Sequence, residues 1–200
     1  MSCSKISADI AHQCLDKLAT GIKNTIVLIN IEDLDKLSCT FDANNKMICT
    51  NLALVSASPA LRGFKLEGFN FSNEHDTALV KRKFIDGWEH NMLFRIFDNT
   101  PEVKKWINEA AGSRFVVVYE NNYSNDNAAT PGTTVYEIAG FKYGLEISEA
   151  TRNAQDEESM GGWVLKAVCD EVNKEPYMPY TYFVGGTLAL TKAAFEGLYD

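Results

Sequence analysis

The chain has no CxxC pair, no HExxH and no GxGxxG or phosphate-loop signature, so the short motifs of redox, zinc-hydrolase and nucleotide-binding proteins are missing. Its five cysteines, Cys3, Cys14, Cys39, Cys49 and Cys169, are an odd number without ligand spacing, and they read as reduced, partly buried thiols. Its three histidines, His12, His75 and His90, stand far apart in sequence. No apolar run approaches the ~18 residues that a membrane helix needs. Residues 1–21 are polar and mixed in charge, unlike a secretory leader. Basic residues are scarce in the second half. Residues 1–100 carry 11 basic and 12 acidic groups, residues 101–200 carry 8 and 15, and the net charge is −8. A chain this acidic does not grip nucleic acid by neutralising phosphates, although a negative wall can enclose it without sticking.

What is present suits strands. The 200 residues are 46% hydrophobic, enough to bury one sizeable core, and they include 11 Phe and 8 Tyr. A single domain over 1–200 is expected, with 1–23 as a helical extension. The most marked pattern runs over residues 78–97. Val80, Phe84, Trp88, Met92, Phe94 and Ile96 share one parity, interrupted by Arg82, Asp86 and His90. Lys81, Lys83, Glu89, Asn91 and Arg95 occupy the other, broken by Ile85 and Leu93. A period near two predicts one strand far longer than the usual ~5–6 residues, of the kind that builds a hairpin arm or a barrel wall.

The remaining segments divide readily. Residues 8–20 read as a helix, with Ser7 as N-cap, Ile10, Cys14, Leu15 and Leu18 on one stripe, and Gly21 at its left-handed end. Residues 25–31 (TIVLINI) form a buried strand, and 47–55 another after a turn at 42–45. Residues 61–71 alternate but change phase at Gly68, which predicts a bulge or bend. Asn99 or Thr100 caps a helix that begins at Pro101, carries Val103, Trp106, Ile107 and Ala110 on one stripe and ends at Gly112. A strand over 114–120 follows, then a polar loop over 121–133. Phe141, Tyr143, Leu145 and Ile147 alternate as a strand, 163–169 is another, 177–183 is an aromatic segment, and 191–198 is a short helical element.

Candidate chemistry is thin. His90 lies on the mainly apolar parity and reads as a hydrogen-bonded structural residue rather than a ligand. No nucleophile motif surrounds any cysteine. The acidic run 156–158 lacks the alternating oxygens and glycine of a calcium loop. Tyr177, Tyr180 and Tyr182 suit stacking on sugar rings, and a packed core calls for the same residues. No catalytic, cofactor or metal-binding residue is assigned, and the chain reads as a non-enzyme.

One resemblance joins these elements. GWEHNMLFRIF at 87–97, the capped helix, the strand FVVVYE, and then GFKYGLEI and GGWVLKAV together resemble a bacteriophage tail tube (major tail) protein across roughly residues 24–190. The resemblance implies a mainly β (α+β) fold, a β-sandwich or barrel with one flanking helix, here with a short N-terminal helix as well. It implies self-assembly into rings, usually hexameric, in which long strands from each subunit wall a lumen. The rings stack into a DNA-conducting tube within the virion, beside other virion structural proteins, and the subunit is made in the host cytoplasm. DNA would be enclosed but not tightly bound, with no cofactor and no membrane. The polar parity of the long strand, Lys81, Lys83, Glu89, Asn91 and Arg95, is then the candidate subunit interface or lumen, although its charges are mixed. The N-terminal helix is not a family requirement, which leaves a connector or other ring protein open. A monomeric β-sandwich module that binds a sugar or protein, and a cysteine-dependent enzyme, are the readings from other classes.

Overall fold

The computed structural model describes residues 21–69, 72–81, 86–123, 132–157 and 159–200. The helix expected at 8–20, most of the loop at 121–133 and Lys83 lie outside them. The strands are β1 (Ile22–Asn30), β2 (Thr40–Phe41), β3 (Ile48–Asn51), β4 (Phe64–Glu67), β5 (Glu74–Lys81), β6 (Asp86–Ile96), β7 (Arg114–Asn121), β8 (Tyr136–Ala139), β9 (Leu145–Arg152), β10 (Trp163–Cys169) and β11 (Tyr180–Tyr182). The helices are α1 (Pro101–Ala111) and α2 (Leu188–Glu196). The mainly β, α+β class therefore holds. The strands form one mixed sheet in the order β2-β3-β11-β8-β7-β9-β10-β6-β5, with β1 paired to β7 and β4, and the sheet is not closed into a barrel.

The hub is the antiparallel pair β1–β7, which matches Leu28 to Val117 and Ile29 to Val116. Its two strands are apolar on both parities because both faces are covered. Ile26, Leu28, Phe115, Val117 and Tyr119 enter a first core with Met92, Phe94, Ile96, Leu165 and Ala167, and α1 closes it through Ile107. Val27, Ile29, Val116 and Val118 enter a second core with Cys49, Ile138, Tyr182 and, from α2, Phe195. Two helices thus flank the described sheet, where the resemblance implied one.

Helix α1 forms as its sequence requires. The Thr100 hydroxyl accepts the Val103 N–H, Pro101 opens the first turn, and the Gly112 N–H returns to the carbonyls of the last turn. Ile107 is buried, while Val103 and Trp106 pack half-buried against the first core. Gly21 adopts φ +88°, the left-handed conformation its sequence position predicts.

Two segments differ from expectation. The long strand of 78–97 is folded back on itself: β5 and β6 are an antiparallel hairpin that matches Glu74 to Leu93 and Lys81 to Asp86. A hairpin preserves the period of two on both sides of its turn, so alternation alone cannot separate one long strand from an arm. The run from Phe141 to Ile147 is also not one strand. Phe141 and Tyr143 sit in the turn between β8 and β9, where Gly140 and Gly144 take φ +72° and +81°. Phe141 is apolar because its ring packs edge-on against Phe41 and Tyr180, at 5.5 and 5.3 Å between centroids.

Candidate functional site: the arm and its anchor

The hairpin register decides which arm residues share a face. In β5 and β6, even positions of one strand oppose odd positions of the other. The candidate set is therefore split. Glu89, Asn91 and Arg95 lie on the outer face of the sheet, beside Ala78, Asp76 and Glu74, whereas Lys81 lies exposed on the opposite face, beside Leu79. The register that sets Lys81 opposite Asp86 reverses the parity rule between the two strands, and alternation alone could not show it.

The outer-face residues are held by partners. The Glu89 carboxylate meets the buried Lys174 ammonium at 3.1 Å. Asn91 Nδ2 donates to Asp76 Oδ2 at 2.9 Å. Arg95 Nη1 donates to the Ser72 carbonyl at 3.0 Å and reaches Glu74 Oε1 at 3.3 Å. The neighbouring strands extend this face: Leu93 opposes Lys166, which opposes Glu149, and Asn91 opposes Val168, which opposes Glu146. Glu74, Asp76, Glu89, Glu146 and Glu149 thus share a face with Lys166, Arg95 and Arg114, which opposes Glu146, while Lys174 pairs with Glu89. The face is mixed in charge: β5 and β9 add carboxylates, and Arg95, Arg114, Lys166 and Lys174 answer most of them.

The inner face carries a buried polar network that local sequence did not reveal. His90 is 1% exposed. Its Nδ1 accepts the Gly140 N–H at 3.1 Å, so its proton sits on Nε2 and is donated to the Tyr177 carbonyl at 3.0 Å. The expectation of a hydrogen-bonded structural histidine agrees with this geometry. His75 lies nearby, with ring centroids 6.2 Å apart. Tyr119 Oη donates to Glu137 Oε2 at 2.6 Å, so His75 Nδ1 donates to Tyr119 Oη at 2.9 Å. His75 Nε2 is then the acceptor for the Thr77 hydroxyl at 3.3 Å. Burial pushes both imidazoles down to about 4, and for His75 the neighbouring His90 adds to the effect.

A strap fastens the arm to the body. Glu175 pairs with Trp88 through backbone bonds of 2.7 and 3.0 Å. Gly87 lets it approach: a Cβ there would stand 2.6 Å from the Lys174 Cβ. The Glu175 side chain turns inward and accepts the N–H groups of Lys142 and Tyr143 at 2.9 and 2.7 Å. Burial pushes its carboxyl up, and these donors offset part of that. Glu175→Ala orphans both donors and is expected to lower the unfolding free energy by about 2–3 kcal/mol, read as a shifted urea midpoint at constant slope. A shift under about 0.5 kcal/mol would show that water replaces the carboxylate without loss.

Three further sites bear on the alternatives. Cys39, Cys49 and Cys169 are buried free thiols, and burial pushes all three up, Cys49 to about 12, so none is a ready thiolate at neutral pH. Tyr177 and Tyr180, with Phe41, Met47 and Lys46, line an open groove of about 190 Å³. Tyr182 is 2% exposed and belongs to the second core. Among the described residues no group of three or more His, Cys, Asp or Glu is placed to hold a metal ion.

No known protein family, curated protein or solved structure matches this chain. The functional reading therefore rests on the arm, its free edge and its anchor. Sequence inspection passed over His75, Tyr119, Glu137 and Glu175. The aromatic richness around them was visible, but no spacing linked four residues that come from four different segments.

Proposed function

We propose that this chain is a structural subunit that self-associates through the β5–β6 arm into rings, stacked as the resemblance to tail tube proteins implies. One observation carries this reading. The sheet path ends at β5, which among the described residues pairs with β6 alone, and its distal half, Ala78 to Val80, is apolar with Leu79 48% exposed. A strand edge of this kind offers a row of unpaired backbone groups to another chain. Glu74 and Asp76 guard its proximal half and Lys81 its far end, so the apolar stretch Ala78 to Val80 is the part left open. The net charge of −8 supports a lumen role, because enclosed DNA would meet repulsion rather than a grip. The same edge and face would serve a connector ring of a phage-like particle.

A ligand-binding module is the second reading, and the Phe41–Tyr177–Tyr180 groove favours it, since ring faces stack on sugars. Light scattering and negative-stain microscopy separate the two. The wild type is expected to form rings or tubes, and Leu79→Lys, which places a charge on the apolar edge without disturbing a core, is expected to weaken association by roughly 10-fold or more. A wild type that stays monomeric at high concentration in several salts removes the assembly reading. Tyrosine fluorescence that responds to oligosaccharides in that monomer would put the groove in its place.

A further inference from the structure

The two inner-face histidines, His90 buried and His75 half-buried, differ in one respect that decides how each responds to acid. His90 has partners of fixed direction. Its Nδ1 accepts the Gly140 N–H and its Nε2–H donates to the Tyr177 carbonyl, and neither backbone group can exchange roles. His75 has adaptable ones. The Thr77 hydroxyl that faces its Nε2 can turn from donor to acceptor, and its Nδ1 leads through Tyr119 to the Glu137 carboxylate. A second proton on His75 finds an acceptor; a second proton on His90 points at an N–H.

We propose that His90 is an acid-operated latch: a proton on Nδ1 expels the Gly140 N–H and parts the arm from the 140–144 turn and from the 173–178 strap. Three segments meet at this one ring. Its own strand β6 also anchors to β10, where the His90 N–H lies 3.4 Å from Cys169 Sγ. The charged groups around the ring do not rescue an imidazolium. Glu137 lies behind the Tyr119 hydroxyl, and Asp76 is on the outer face, tied to Asn91. The Glu175 carboxylate is held by Lys142 and Tyr143, and Lys174 is paired with Glu89. None of these carboxylates accepts from the His90 ring, and the Cys169 thiol is kept neutral by burial. Burial holds His90 neutral to about 4, against the opposing pull of the Tyr177 carbonyl. His75 beside it would add a second positive charge once it too is protonated.

The latch does not rest on the assembly reading, so its test uses dilute, non-associating protein. Nuclear magnetic resonance follows the His90 imidazole and the Gly140 amide through the same titration. Gly140 and Glu175 amide exchange, corrected for intrinsic pH dependence, is expected to accelerate about 10-fold or more on acidification, with the midpoint of the His90 ring. His90→Gln offers one donor and one acceptor without titrating, and is expected to abolish that step; His75→Gln is expected to keep it. Exchange that is flat in the wild type, or unchanged in His90→Gln, overturns the proposal. If His90→Gln does not fold, the wild type alone decides. A Gly140 step that tracks the Glu137 or Glu175 carboxyl, rather than the His90 imidazole, overturns it equally.

Discussion

Phe94→Ala is expected to lower the unfolding free energy by about 3–5 kcal/mol. Phe94 is fully buried in the first core, opposite Leu165 on the β6–β10 ladder and among Met92, Ile96 and Ala167. Removing the ring forfeits its transfer from water and leaves a cavity between a strand pair and the β1–β7 hub, neither of which is free to collapse. Urea denaturation checks this as a lower midpoint with an unchanged slope. Leu37→Ala is the matched control, because Leu37 is 99% exposed and a surface truncation stays within about 0.5 kcal/mol. A Phe94→Ala loss below about 1 kcal/mol would mean that the inner face of β6 is not the core face, and the split of the arm residues would fail with it.

Stability is expected to fall steeply between about pH 6.5 and pH 4, by up to roughly 3 kcal/mol for each of His75 and His90. The sign follows from proton counting. Both imidazoles sit at about 4 in the folded chain against an ordinary value of 6.5, so in that window the unfolded chain binds protons that the folded chain refuses. Stability is complete above the ordinary value, is lost as pH falls, and the loss levels off below the folded value. Glu175 acts the other way, because its raised pKa makes the folded chain take up a proton first and offsets part of the loss just above the ordinary carboxyl range. Asp170, held at about 2 by the Val172 N–H and by Arg114 and Asn173, contributes only at more acidic pH. Urea midpoints at several pH values give the slope directly. A stability that is flat from neutral pH to about pH 4.5 would show that the imidazoles are hydrated in solution, and the buried network would lose its role.

Local structure was legible wherever a short stretch carried its own physics. Helix α1 was readable from Thr100, Pro101 and Gly112, because caps act within one turn. β1 and β7 were readable from their apolar content, since a strand covered on both faces has nowhere to place polar residues, and β10 from its apolar run interrupted only by the outward Lys166. The structural role of His90 followed from its place on the buried parity. β8 and β2 were not anticipated. β2 is two residues long, and Phe141, one turn beyond β8, carried a strand-like alternation into a segment that packs as a turn.

The arm and its anchor were only half legible. Alternation over 78–97 identified extended chain but not its reversal, and only folding brings Glu149 and Glu146 to the face of β6 across β10. The anchor depends on contacts of long sequence separation: His90 with Gly140 and Tyr177, His75 with Tyr119, Trp88 with Glu175. Sequence by itself determined the mainly β class, the capped helix, the acidic balance and the buried character of the central strands, because propensity, capping and periodicity act over a few residues. Tertiary structure alone decided which faces meet, which histidine can accept a proton and where the sheet ends, because hydrogen-bond direction and strand order are set by residues that the chain brings together only when it folds.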